Sequence, residues 1–93
     1  MRTYEACCLF RVEEDKFASA RDAVRAAIQG LGAQDLKEDD MQVRNLAYPI
    51  DKVHQGHYFL YQFEMDPEKA HKIEDGVRLI PDLMRILVNR KSD

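Results

Sequence analysis

Three groups of residues in this chain carry side chains with chemical potential. They are the adjacent thiols Cys7 and Cys8, the imidazoles His54, His57 and His71, and the cations and aromatic of RNLAYPIDK, residues 44–52. Neighbouring thiols in a strand point to opposite faces, so a mutual disulfide is not expected, and two cysteines alone cannot build a structural zinc site. His54 and His57 flank an expected turn while His71 lies elsewhere, and two imidazoles without a third nearby ligand do not make a metal centre. No Ser, Cys and His spacing sets up a nucleophile, and the glycine-rich phosphate loops are absent. The charged clusters EEDK and KEDD read as solvated faces. We therefore expect no enzyme, no metal or cofactor, and no small-molecule substrate.

The stretch RNLAYPIDK is different. Arginine can fork onto a phosphate, lysine supplies a point charge, and an aromatic ring can stack on an unpaired base; Arg44, Lys52 and Tyr48 provide one of each. Pro49 cannot donate to a strand ladder, so this segment is expected at a sheet edge or where pairing stops. The same residues have plainer readings. Arg44 and Lys52 would also serve as charges that protect an edge from aggregation, and Tyr48, like Tyr4, would serve as packing.

The elements that must position these groups follow from composition and periodicity. The chain has 93 residues, 45% of them hydrophobic and 33% charged, which fits one folded domain spanning residues 1–93. The net charge of −3 gives no general attraction to a polyanion or an anionic membrane, so any such contact must be local. The N-terminus lacks the long apolar stretch of an export signal, and the apolar runs are too short to span a bilayer. A soluble, cytoplasmic protein is expected.

Alternation of Tyr4, Ala6, Cys8 and Phe10 against Glu5, Cys7 and Leu9 predicts a first strand over 2–10. A helix over about 14–31 follows, with Phe17, Ala20, Val24, Ile28 and Leu31 on its buried stripe, acidic residues in its first turn, and Gly32 as terminator. Arg25 is expected on its solvent side. A long second strand is predicted over 34–50, then a polar turn DKVHQG closed by Gly56, then the strand HYFLYQFEM with Phe59, Tyr61, Phe63 and Met65 on one face. The two strands should pair as an antiparallel hairpin.

Asp66 and Pro67 predict a helix start, Ala70, Ile73, Val77 and Ile80 a buried stripe, and Pro81 the end; Gly76 inside it should cost about 1 kcal/mol relative to Ala. A last strand is predicted over 83–90, with Met84, Ile86 and Val88 facing the core and Arg85 on the opposite face.

This order gives an α+β class, the ferredoxin-like βαββαβ arrangement: a four-stranded antiparallel sheet with two helices on one face. The other face has no helix to cover it. Leu9, Tyr58, Leu60 and Leu87 on that face form a platform for a partner, and Cys7 lies among them.

The residues also carry a resemblance. MRTYE at the start, RNLAYPIDK, QGHYFLYQFEM and the spacing of Leu83, Arg85 and Val88 resemble the bacterial small-subunit ribosomal protein six family over nearly the full length. One departure is Gln42, where that family usually has Gly. The resemblance implies a structural role: binding the central domain of small-subunit ribosomal RNA together with the small basic ribosomal protein eighteen, as a heterodimer. It also implies RNA contact by Arg2, Tyr4, Arg44, Lys52 and Arg85, with the open sheet face and the hairpin meeting the partner. A basic partner would supply much of the phosphate neutralisation that an acidic chain cannot.

Three other readings bear on the same residues. An acylphosphatase-like enzyme would need a phosphate-cradling loop after the first strand, where RVEED instead sets three carboxylates behind Arg11. An RNA-recognition motif fails on register, because Phe59 is needed by the core. A regulatory module that self-associates through its open face remains open.

Overall fold

The computed structural model describes residues 1–12, 17–50 and 53–91. Four strands, β1 (Arg2–Phe10), β2 (Gln34–Ile50), β3 (Val53–Met65) and β4 (Leu83–Arg90), form one sheet in the order β2-β3-β1-β4. Every neighbouring pair is antiparallel. Helix α1 (Phe17–Gly30) and two short helices, α2 (Pro67–Ala70) and α3 (Ile73–Val77), complete the ferredoxin-like fold.

The core lies on the helix side of the sheet and follows the period of two. Ala6, Cys8 and Phe10 of β1 and Phe59, Tyr61, Phe63 and Met65 of β3 are buried against Ala20, Val24 and Ile28 of α1 and Ile73 and Val77 of α3. Tyr61 buries a full ring and spends its hydroxyl as a donor to the Arg21 carbonyl, 2.7 Å away, which ties β3 to α1. Burial, foremost, raises the pKa of this phenol, so the hydroxyl keeps the proton it donates.

Helix α1 ends as its sequence predicts. Gly32 adopts φ +99°, a region that costs a side chain, and its N–H donates to the Gln29 carbonyl at 3.0 Å. The expected acidic first turn and the start of this helix at residue 14 fall outside the described residues. Asp66 caps α2 by accepting from the Glu68 N–H at 3.0 Å, with Pro67 in the first turn.

Three expectations are corrected. The single helix predicted from Pro67 to Ile80 is two short pieces with a turn at His71 and Lys72. Ile73 and Val77 alone of that stretch are fully buried, and Gly76 weakens what local propensity remains, so tertiary anchoring selects short turns over one continuous helix. The polar turn expected through Gly56 is shorter, because Gln55 and Gly56 already pair with Asn45 and Arg44. The Gln55 side-chain amide donates to Asn45 Oδ1 at 3.1 Å, which carries the ladder further toward the hairpin tip. In β4 the register jumps so that Leu9 faces Arg85 but Phe10 faces Leu83. Leu83, with Ile86 and Val88, therefore packs on the core where Met84 was expected.

Pro49 meets both of its conditions. β2 is an edge strand, and its pairing with β3 lapses between Asn45 and Ile50.

Removing the Tyr61 hydroxyl isolates one cross-link of the core without creating a cavity. Tyr61→Phe should cost about 1 kcal/mol, lowering the melting temperature by about 4–8 °C in a domain of this size. Thermal denaturation followed by circular dichroism measures it, and an unchanged midpoint would mean the bond contributes nothing.

Candidate functional site

On the helix-free face, alternation presents Thr3, Glu5, Cys7 and Leu9 from β1, Tyr58, Leu60, Gln62 and Glu64 from β3, and Arg85, Leu87 and Asn89 from β4, as their cross-strand pairing requires. No described helix packs here. The open platform expected from the sequence is present, but its burial is uneven.

A bulge in β2 decides what that strand adds. Asp40 faces Phe59 and Val43 faces His57, so three steps along β2 match two along β3. The extra residue is accommodated by Gln42 at φ 70°, left-handed backbone in which a side chain is strained. Without it, alternation would carry Arg44 to the helix side opposite Gln55. With it, Arg44 stands opposite Gly56, on the same face as Leu9 and Tyr58. The departure from Gly at this position thus falls where the backbone most favours glycine.

Asp40 compensates. Its Oδ1 accepts the Gln42 N–H at 2.9 Å and lies 2.5 Å from His57 Nε2. Burial would raise the Asp40 pKa, but the hydrogen bonds from His57 and Gln42, helped by attraction to His57 and Arg21, hold it below the usual carboxylate range. The His57 ring lies flat on Phe17, with centroids 3.8 Å apart and planes 6° apart. Arg44 Nε donates to the Met41 carbonyl within the bulge at 3.1 Å.

Beyond the bulge, the stretch of β2 between Asn45 and Ile50 leaves its pairing with β3 and lies over the sheet. Leu46 and Tyr48 come together with Cys7, Leu9, Tyr58, Arg85 and Leu87 around a cavity of about 350 Å³. Arg85 is the only charged residue among the described residues that line it. It is exposed and makes no hydrogen bond or ion pair among the described residues. Tyr48 is 64% exposed and Leu87 56%, so the rim is apolar and open.

The structure distributes the sequence-predicted residues unevenly. Tyr48 and Arg85 share this cavity with Leu9, Tyr58 and Leu87, so residues read separately as RNA contacts and partner contacts meet in one place. Arg44 is on the same face, and half-buried Leu60 stands opposite Cys7. Lys52 lies outside the described residues. Arg2 is exposed but pairs with Met65 at the far end of β1, seven residues from Leu9, a separation of roughly 23 Å along a strand.

Two site assignments and one control change. Tyr4 is 9% exposed, and its ring stacks on Phe63 inside the core at 6.2 Å, so the ring is not available to an RNA base. Leu9 is 5% exposed, closed over by the hairpin. Its side chain occupies the space above Gly56, where a Cβ would overlap Leu9 Cδ1, and Leu46 lies beside it. Leu9 is thus part of the floor and not a free contact. Arg25 is not on the solvent side: half-buried, it reaches Asp22 at 2.5 Å and Glu38 of β2 at 2.8 Å, the latter an ion pair by separation without hydrogen-bond alignment.

Sequence reasoning missed Leu46 and Asp40, and read His57 only as a candidate metal ligand. The one available signal was Gln42 in a glycine position.

A larger groove of about 560 Å³ opens at the other end of the sheet, between Asp35, Lys37, Gln62, Glu64 and Lys91. Its charges are mixed, and Lys91 already lies 3.8 Å from Glu5, so it does not concentrate positive potential. The thiols are chemically quiet. Burial, then the neighbouring Glu5, raises the Cys7 pKa, while burial, then Cys7, pushes Cys8 up to about 12. Among the described residues, no group of three or more His, Cys, Asp or Glu side chains is placed to hold a metal ion. No described helix is long and apolar enough to cross a membrane.

Comparison with known proteins agrees with this architecture. Residues 3–90 match the family model for ribosomal protein S6. The small ribosomal subunit protein bS6 of Treponema pallidum (strain Nichols) is 38% identical over 90 residues, covering 97% of each chain. That of Treponema denticola is 34% identical over 93 residues, covering 100% of each. The crystal structure of 30S ribosomal protein S6 from Thermotoga maritima superposes with a TM-score of 0.84 at 24% identity, covering 97% of this chain and 87% of that one, a likeness of fold. On the family match and these identities, the chain belongs to the ribosomal protein S6 family of the small ribosomal subunit.

Proposed function

We propose that this chain, a structural protein of the small ribosomal subunit and not an enzyme, binds the central domain of small-subunit ribosomal RNA as a heterodimer with small-subunit ribosomal protein eighteen. The observation that supports this reading is Arg85 at an apolar-rimmed cavity on the face without helices, with Arg44 on the same face from the opposite edge strand. An acidic chain cannot attract RNA as a whole, so two guanidinium groups on one face, neither with an ion-pair partner among the described residues, are where a phosphate backbone would be met.

In this reading Arg85 forks onto a phosphate, Arg44 takes a second, and the exposed Tyr48 ring stacks on an unpaired base. Lys52, near them in sequence, adds a point charge, and Arg2 serves a separate phosphate at the far end of the sheet. Tyr58, Leu60 and Leu87, with Leu46, receive the protein partner; the buried Leu9 supports them from below. Apolar burial of the exposed rim supplies the heterodimer's affinity. The partner's positive charge supplies the general attraction that this chain lacks.

Charge and packing can be separated experimentally. Arg85→Ala should weaken RNA binding by the pre-formed heterodimer and make the slope of log K against log salt shallower by roughly 0.7–0.9. Thermal stability should change by at most about 0.5 kcal/mol. Arg85→Lys should keep most of the slope while losing affinity. Arg78→Ala, on an exposed residue remote from this face, should bind as the parent does. Leu60→Asp should leave the monomer folded but weaken the heterodimer by burying a charge in it. An unchanged salt slope for Arg85→Ala with a lowered melting temperature would return Arg85 to a structural role. Loss of folding in Leu60→Asp without a partner effect would do the same for the face.

A further inference from the structure

The extra residue in β2 determines which face Arg44 serves, yet the residue that must adopt the left-handed conformation is a glutamine. Its backbone N–H is turned toward Asp40, two residues back, and the carboxylate accepts it at 2.9 Å. That carboxylate is itself fixed by His57 Nε2 at 2.5 Å, and the imidazole is fixed by its flat contact with Phe17, the first residue of α1. Arg21 lies above the same Phe17 ring, its guanidinium carbon 5.6 Å from the centroid. A continuous line of contacts thus runs from α1 through His57 and Asp40 to the bulge. Arg44 closes it by donating to the Met41 carbonyl inside the bulge.

We propose that Asp40 is a positioning residue for RNA binding: by holding Gln42 in its left-handed conformation it keeps the β2 bulge, and so keeps Arg44 on the open face. The proposal rests on the RNA-binding reading of Arg44 and goes beyond it, assigning a role to an acidic residue that touches no RNA. Electrostatics alone gives the opposite expectation, since removing a carboxylate near a polyanion site should tighten binding. The sign of the effect therefore discriminates between the two.

The test uses the heterodimer titrated with a central-domain fragment of small-subunit ribosomal RNA, together with amide hydrogen exchange of the free chain. Asp40→Ala should weaken RNA binding by about fivefold and accelerate exchange of the Gln42 amide. Asp40→Asn, which keeps an acceptor oxygen, should do less of both. The informative variant is Asp40→Ala combined with Gln42→Gly, because glycine adopts positive φ without support; RNA affinity should return to the parent's level. In an Arg44→Ala background, Asp40→Ala should have a smaller effect, limited to what Tyr48 and Leu46 lose when the bulge is released. If Arg44→Ala weakens binding while Asp40→Ala leaves it unchanged or tightens it, or if Gln42→Gly restores nothing, the inference fails alone. If Arg44→Ala binds as the parent does, the RNA reading of Arg44 fails and takes the inference with it.

Discussion

One left-handed residue sets the chemistry of this sheet. A strand alternates its side chains with a period of two, so a single added residue moves everything after it to the other face. Before Gln42, β2 sends Leu36, Glu38 and Asp40 toward the helices, where Leu36 joins the core, Glu38 meets Arg25 and Asp40 meets His57. After it, Arg44 turns to the open face and the strand runs on, unpaired, to lay Leu46 and Tyr48 beside Arg85. The cavity, the placement of Arg44 on the open face and the burial of Leu9 all depend on that reversal.

The same geometry explains how an acidic chain presents a cationic site. Much of its charge is neutralised locally and elsewhere: Arg25 lies between Asp22 and Glu38, Arg78 is near Asp75, and Lys91 is near Glu5. Among the described residues, Arg85 has no such partner and Arg44 is held only by a backbone carbonyl. A local excess of positive charge therefore survives in a chain whose net charge is −3. The surrounding surface is apolar and exposed, as a surface intended for a protein neighbour would be. Such a division of labour suits a structural ribosomal protein, whose function is to be placed and to place others.

Strand limits at Arg2–Phe10, Gln34–Ile50 and Leu83–Arg90, and the inward parity of Phe59, Tyr61, Phe63 and Met65, were legible because they are set by local periodicity. What was not legible is non-local. Leu9 is closed off by a strand end some forty residues away in sequence, and nothing near Leu9 announces it. Arg25 sits one position after the buried Val24, so its side chain reaches β2, a contact that a helical pattern alone does not reveal. The bulge hides because the polar run KEDD has no apolar alternation to interrupt. Tyr4 was a choice between packing and stacking, and the neighbouring ring of Phe63 decided it. The broken second helix reflects too few buried anchors, which periodicity counts but does not weigh.

The most direct test of the central claim, that RNA and protein partner share the helix-free face, is hydroxyl-radical footprinting of side chains in the free chain, the heterodimer and the heterodimer with RNA. Tyr48, Tyr58, Leu60 and Leu87 should lose reactivity on assembly. Leu79, 88% exposed in the turn after α3, should keep it in all three states. Protection of Leu79 with Tyr48 and Leu87 still reactive would place the interface elsewhere and contradict the account.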